Sequence, residues 1–423
     1  MYNQTVVEDP HGLNFKDPEM VERDIHDDME NFDDGNEEPD KSDSIKNDPS
    51  FSENLKKLSF WEEQVQVKKG MEEKQNFVFI KCMKCATETV AGLLRRFSFT
   101  RHLDVVLPRH NNIYLGWPYL MVQEDFRMGN SKFNCLMEHS IYNRSIMKPL
   151  FHDDVKFISI IREPWAHFLS TFKYFNVKNI VKMKENDLIS SYLTNIEKYE
   201  TIYKSHKSAK LRYCIPDGFS VTKNLLSHCL GMPLGFPSER EDISGSGEKV
   251  TNYIHQLDKE MDLVMIMEYF HESLVLLKRV MGWSFLDIIY RKVNVGHYHY
   301  NTSAVDKERH RLWSNIDYQL YEHFNQTFWN KVKTQGEAFT QEVRLFKSII
   351  HDIDQFCKSV NATKLPNPGN VTRQSFTIEA SDFDGGFTIS ALECGLLEEP
   401  LLPLLQTRFA LRHGKDTEYK RTC

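Results

Sequence analysis

Apolar positions are sparse over the first 50 residues, become dense from Asn76, stay dense to about Val360, and thin out again beyond Lys364. Within the dense stretch, NFVFI (ending at Ile80) is short and built of β-branched and aromatic residues, which predicts a buried strand. Directly after it Val90, Leu93, Leu94 and Phe97 recur at helical spacing and predict a helix with one apolar face. The same order returns in VKFISIIREPWAHFLSTFKYF: Phe157 to Ile161 predict a strand, Pro164 suits a first helical turn, and Phe168, Leu169 and Phe172 continue a helical stripe. A third unit, MDLVMIMEYF followed by ESLVLLKRVMGW, predicts a strand over Leu263 to Met267 and then a helix. Residues 306–360 read as wholly helical. Strands alternating with helices predict an α/β fold, a central parallel sheet flanked by helices with a helical C-terminal part.

This pattern divides the chain into an acidic N-terminal region over 1–73, a main domain over 74–364 and a poorly defined tail over 365–423. The first 50 residues hold 16 Asp and Glu against 4 Lys and Arg and read as disordered, with a short helix leading in over 51–73. The piece LLEEPLLPLLQ has no clear place, and the part after Gly385 reads as foreign to the domain.

Charge changes the picture less than its total suggests. The N-terminal balance of −12 against −7 for the whole chain leaves +5 for the rest, a mildly basic body. That suits a small anionic ligand and excludes an electrostatic case for nucleic acid. Eight cysteines at irregular spacing do not read as a small disulfide scaffold, although one or two bridges fit. N-x-[ST] triplets begin at Asn3, Asn143, Asn301, Asn325, Asn361 and Asn370 and lean towards a secretory route. Yet the first thirty residues are acidic, unlike a signal peptide, and no window reaches the roughly 18 apolar residues a membrane span needs.

The candidate chemistry sits where the first strand meets its helix, in FVFIKCMKCATETV. A loop that leaves a parallel strand and opens a helix offers backbone amides and the positive helix end to a phosphate or sulfate. Lys84 would add a mobile charge, and Thr87 and Thr89 hydroxyl donors; the alternatives are a solvated lysine and threonines that merely cap. The G-x-x-x-x-G-K-[ST] pattern of ATP-type loops occurs nowhere, and the Cys82–Cys85 spacing without a second pair does not make a zinc or redox site. In the second unit Arg162 ends a strand and Ser170 follows eight residues later, suited to a forked grip on a phosphate with a hydroxyl beside it. Arg162 could equally pair with Glu163.

A Lys-plus-hydroxyl loop followed some 75 residues later by Arg and then Ser resembles the layout of sulfotransferases. Over Phe77 to Val360 the chain resembles the galactose-3-O-sulfotransferases. FVFIKCMKCATETV is similar to that family's F-x-K-T-H-K-T-x-S-[ST]-T stretch, ISIIREPWAHFLSTFKYF to its R-[DE]-P-x-x-x-F-x-S-x-F-x-Y-F run, and LVMIMEYFHESLVLLKRVMGW to its L-V-L-x-x-E-Y-F-[DE]-E-S-L-V-L-L-K segment. NLLSHCLG, IIYRKVNV and LYEHFNQTFWNKV resemble three more. The departures cluster in the first loop, where Cys82 and Met83 stand for Thr-His and Cys85 stands for Thr. A thiol is a weak donor, so Cys85 replaces a hydroxyl only in part.

The resemblance implies a P-loop-like sulfotransferase fold and 3′-phosphoadenosine 5′-phosphosulfate (PAPS) as co-substrate, with no metal. It implies that Lys81, Lys84, Cys85, Ala86, Thr87 and Thr89 hold the 5′-phosphosulfate and that Arg162 and Ser170 hold the 3′-phosphate. Arg291 and Lys292 are further candidates to face the nucleotide. In NCLMEHSIYN the resemblance puts His139 at the family's acceptor-site histidine, with Glu138 and Ile141 replacing Asn and Arg. His139 is then the expected general base and Lys84 the expected stabiliser of the leaving nucleotide. The implied acceptor is a galactose-terminated glycolipid or glycan, sulfated at O-3. The implied place is the Golgi lumen with membrane association, although the sequence shows no anchor segment. Two other readings stand beside this one: a catalytically degenerate binding protein on the same fold, and an interaction protein that works through its acidic tail.

Overall fold

Four short apolar segments make the sheet. In this computed structural model, which describes residues 49–64, 73–109, 113–129, 131–212, 215–291, 300–360 and 375–414, they are β1 (Phe77–Ile80), β2 (Cys135–Leu136), β3 (Lys156–Ile161) and β4 (Leu263–Ile266). They lie in the order β2-β1-β3-β4 and every pairing is parallel, Phe77 facing both Cys135 and Lys156 and Ile158 facing Leu263. All four residues of β1 and of β4 are buried, as a sheet covered on both faces requires. β4 stops one residue before Met267, where a tight helical turn over Met267–Tyr269 takes over.

Helices cover the sheet in chain order: α1 (Pro49–Gln64), α2 (Thr87–Thr100), α3 (Pro164–Tyr174), α4 (Leu225–Cys229), α5 (Gly247–Glu260) and α6 (Phe270–Met281). The stretch expected to be continuously helical resolves into α7 (Ala304–Trp313), α8 (Asn315–Lys333) and α9 (Ala338–Ser359). Ser314 and the segment around Gly336, which sits at φ 77°, break it. The N-terminal disorder reading and Lys292 lie outside the described residues.

The region read as a tail carries an antiparallel hairpin, β5 (Ser375–Ile378) and β6 (Phe387–Ser390), then α10 (Ala391–Glu398) and α11 (Leu401–His413). Leu396, Leu401, Leu404, Leu405 and Phe409 join the same core as the sheet. A disulfide from Cys357 on α9 to Cys394 on α10 fixes the connection, and Arg408 reaches Glu62 of α1 at 2.9 Å and the Phe99 carbonyl at 2.9 Å. The part after Gly385 is therefore packed into the domain. LLEEPLLPLLQ forms the end of α10 and the start of α11, its leucines supplying the apolar face.

A second, aromatic-rich core lies beside the first. It joins Met83, Trp117 and Ile141 to Phe168, Phe172, Tyr192, Tyr199 and Tyr203. The loop after β1 runs along the seam, since Cys82 and Cys85 belong to the sheet core and Met83 to the aromatic one.

Candidate functional site

The first loop, Lys81 to Ala86, contains no glycine, yet Lys84 (φ 62°) and Ala86 (φ 55°) occupy the left-handed region. Each such residue costs about 1–2 kcal/mol unless its surroundings impose the conformation. Here they do so through the loop carbonyls. The His139 Nδ1 lies 3.0 Å from the Lys81 oxygen, and the His167 Nε2 2.8 Å from the Met83 oxygen. The Cys85 thiol also donates to the Met83 oxygen, at 3.4 Å, and the Arg162 Nη1 to the Lys84 oxygen at 3.1 Å. A trans peptide points its N–H opposite to its C=O. Turning the Met83 and Lys84 carbonyls inward therefore aims the Lys84 and Cys85 amides the other way, beside the N-terminus of α2. Ala86 is the N-cap there and provides no side-chain cap, so the first-turn amides keep their capacity for an anion.

Two lysines in this loop part company. The Lys84 ammonium lies 4.3 Å over the ring of Tyr174, at the end of α3. Lys81 is buried, and its ammonium reaches Glu88 at 2.5 Å and Glu138 at 3.7 Å. Arg95 completes the group with paired hydrogen bonds to Glu138, both 2.7 Å, and a contact to Glu88. Two cations and two carboxylates thus neutralise one another at the base of the loop. The charges of Arg95 and Lys81 hold the half-buried Glu88 carboxyl far below the usual carboxylate range, and Glu138 and Glu88 push the buried Arg95 up. Sequence reasoning missed Glu88 and Arg95; the available signal was the spacing of seven residues from Glu88 to Arg95, two turns along one face of α2, below the loop that carries Lys81.

His139 follows β2 and is nine-tenths buried, 6% exposed. Its backbone is held on both sides, the His139 N–H donating to the Ile113 carbonyl at 3.2 Å and its carbonyl accepting from Leu115 at 2.7 Å. The Tyr114 ring lies 5.6 Å from the imidazole. A carbonyl can only accept, so Nδ1 carries the proton and Nε2 of the neutral ring holds the lone pair. Burial, then the neighbouring Lys81 charge, hold the imidazole well below its ordinary pKa, only partly offset by Glu88. The ring is therefore neutral, and basic at Nε2, at physiological pH.

The second unit is plainer. Arg162 follows β3 directly. Glu163 caps α3 by accepting from the Ala166 amide at 2.8 Å, and Pro164 occupies the first helical turn. Glu163 also meets Lys307 of α7 at 3.1 Å, while Arg162 turns to the first loop. Ser170 is buried on α3; Thr87 is buried and Thr89 half-buried at the start of α2. The structure thus joins the Lys84 loop, Arg162 and His139 through two carbonyls three residues apart. It does not bring Arg291 to this place: that guanidinium pairs with Glu398 on α10 and approaches Asp354 on α9 at 3.8 Å. Those carboxylates hold it against the C-terminal helices.

Cys82 supplies one of the bridges that the cysteine count allowed. It is disulfide-bonded to Cys229, the last residue of α4, while Cys85 stays outside any disulfide. Among the described residues no group of three or more His, Cys, Asp or Glu side chains is arranged to hold a metal ion, and no helix is long and apolar enough to cross a membrane.

A family model described as Galactose-3-O-sulfotransferase matches residues 46–367. The chain is 27% identical over 300 residues to the galactosylceramide sulfotransferase of Bos taurus, covering 68% of this chain and 65% of that one. It is 29% identical over 282 residues to the Homo sapiens protein of the same name, covering 64% and 61%. With galactose-3-O-sulfotransferase 2 of Mus musculus it shares 26% over 312 residues, 70% and 72% of the two chains. The matched region spans under two thirds of the length of the two galactosylceramide sulfotransferases.

Proposed function

The chain belongs to the galactose-3-O-sulfotransferase family, and from that premise we propose that it transfers a sulfuryl group from PAPS to a galactose hydroxyl, O-3 of a terminal galactose on a glycolipid or glycan. The observation that carries this reading is the junction of three groups on one short loop: His139 on the Lys81 carbonyl, Arg162 on the Lys84 carbonyl, and the Lys84 ammonium beside them.

In this reading the Lys84 and Cys85 amides, the first turn of α2, Thr87 and Thr89 bind the 5′-phosphosulfate. Arg162 and Ser170 bind the 3′-phosphate. Cys85 and Ala86 contribute backbone, since the Cys85 thiol is turned onto the Met83 carbonyl. Lys81 acts differently from the expectation above: with its ammonium between Glu88 and Glu138, it holds the loop and does not grip the donor. His139 Nε2 takes the proton of the acceptor hydroxyl as the new O–S bond forms and the S–O bond to the nucleotide phosphate breaks. Lys84 stabilises the charge that grows on the departing phosphate oxygen. Such a site works by placement and charge stabilisation, with no covalent enzyme intermediate. The Golgi lumen fits this activity and is an oxidising place in which disulfides persist.

The test is incubation with labelled PAPS and a panel of galactose-terminated acceptors, beside Lys84→Ala and His139→Gln. Label on galactose O-3 that both substitutions abolish supports the proposal. Full rate in both variants rejects the site. Binding of 3′-phosphoadenosine 5′-phosphate without turnover on any galactoside would favour the degenerate reading instead.

A further inference from the structure

The ties of the strained loop include four carbonyl or thiol hydrogen bonds, the ion pairs of Lys81 with Glu88 and Glu138, and one covalent bond. That bond, Cys82 to Cys229, spans 147 residues and enters the loop two positions before Lys84. Its far end is itself well anchored. The α4 amides of Leu226 and Ser227 donate to the buried Asp317 carboxylate of α8 at 3.1 and 2.8 Å, and the Ser227 hydroxyl donates to it at 2.6 Å. The Cys229 carbonyl accepts from Tyr142 at 2.9 Å, three residues beyond His139. Gly231, at φ 82°, lets the chain after α4 pass so close to Tyr142 that a Cβ there would lie 2.1 Å from its carbonyl oxygen. Cys229 is therefore one node joined covalently to the anion loop and by a hydrogen bond to the segment after β2 that carries His139.

We propose that the Cys82–Cys229 disulfide is a positioning cross-link for donor binding, and that its reduction loosens the anion loop. The inference rests on the donor reading of that loop given above. Without glycine, the loop has no intrinsic preference for the left-handed conformations of Lys84 and Ala86, so its binding geometry depends on tertiary ties. Losing the covalent tie lowers the fraction of molecules with the amides in place, and apparent donor affinity falls by that fraction. Reduction is a two-electron step: a dithiol attacks one sulfur, the mixed disulfide is resolved by its second thiol, and Cys82 and Cys229 leave as thiols while the dithiol becomes a disulfide.

The experiment uses the full chain in oxidised form and measures binding of 3′-phosphoadenosine 5′-phosphate, turnover, and thiol alkylation mapped by mass spectrometry. Expected are weakening by about tenfold in Cys229→Ser, Cys82→Ser and the dithiol-treated protein, a matching rise in donor KM, and kcat at saturating donor within about twofold. The Cys357→Ser/Cys394→Ser variant separates positioning from stability, since it is expected to melt earlier and bind the nucleotide as tightly as the parent. Folded Cys229→Ser with parental affinity overturns the inference, as does alkylation of Cys82 in the unreduced native protein. Reduction that merely unfolds the chain, with no folded weak-binding form in either serine variant, also overturns it. Oxidised parent that binds no nucleotide would overturn the donor reading itself, and this inference with it.

Discussion

The two strand–loop–helix units that meet at the site are built in opposite ways. The second, around Arg162, follows its family pattern closely and is locally self-sufficient: Glu163 caps its own helix, Pro164 starts it, and no residue from Arg162 to Tyr174 has a positive φ. The first, around Lys84, departs from the pattern at Cys82, Met83 and Cys85 and places two ordinary L-residues in the left-handed region. It stands because the segment after β2, α3, α4 and the end of β3 hold it, through His139, His167, Cys229 and Arg162. A binding loop can lose its local instructions when several neighbours over-determine its shape.

Substitution of the charged group in each unit probes the contrast most strongly. Lys84→Ala is expected to lower kcat by about 10²–10³, because it removes charge stabilisation in the transition state. Arg162→Ala is expected to raise the donor KM by about 10- to 100-fold, the worth of a hydrogen bond to a charged group, with a smaller change in kcat. Steady-state kinetics in PAPS distinguishes them, and identical kcat and KM effects would erase the division of labour.

Next come the acids that hold the two units, Glu138 after β2 for the first and Glu163 for the second. Glu138→Ala leaves Arg95 and Lys81 buried with one carboxylate between them and is expected to cost about 3–5 kcal/mol in urea unfolding. Glu163→Ala removes only a helix cap and is expected to cost about 1 kcal/mol. Equal losses would mean that the first unit is no more dependent on tertiary ties than the second.

The pH response sharpens the comparison further. As the proposed base, His139 would have to be unprotonated, and its pKa is depressed by burial and Lys81, so the acid limb of kcat is expected below pH 6.5. The groups acting on its ring are Lys81, from the end of β1, with Glu88 and Arg95 of α2; the Tyr114 ring also faces it. Lys81→Met removes a positive charge and should move the limb up; Glu88→Gln removes a negative one and should move it down. A shift in the same direction for both would exclude the electrostatic account. Stability has the same sign of dependence: His139, His228 (lowered to about 4) and His310 (lowered to about 3) resist protonation when folded, chiefly through burial. Below about pH 6.5 the unfolded chain binds more protons than the native one, so Tm is expected to fall as pH drops.

The smallest effect should come from Ala86→Gly. It relieves the left-handed strain at the N-cap of α2 at some cost in unfolded-chain entropy, and is expected to stabilise by no more than about 1 kcal/mol without weakening nucleotide binding. A destabilisation would show that Ala86 is not strained.

Much of this was legible along the chain. The strands at Phe77, Phe157 and Leu263 and the helices after them were visible because a buried parallel strand and an amphipathic helix each leave a local period. The burial of LLEEPLLPLLQ was not, since short leucine runs between prolines do not say which surface they meet. The ion pair of Glu138 with Arg95 and the pairing of Arg291 with Glu398 needed partners supplied by α2, α9 and α10.

What the residues determined by themselves is therefore the order of strands and helices, and the placing of Lys84, His139 and Arg162 at the ends of strands, where loops carry chemistry. Only the tertiary structure decided which lysine stays at the anion loop, which histidine nitrogen keeps its lone pair, and that Cys82 finds Cys229. The histidine and cysteine outcomes depend on a carbonyl and sulfurs brought together across 58 and 147 residues, and the lysine outcome on Glu138 as well as the nearby Glu88. A pattern with a period of two or 3.6 residues holds no information over that range.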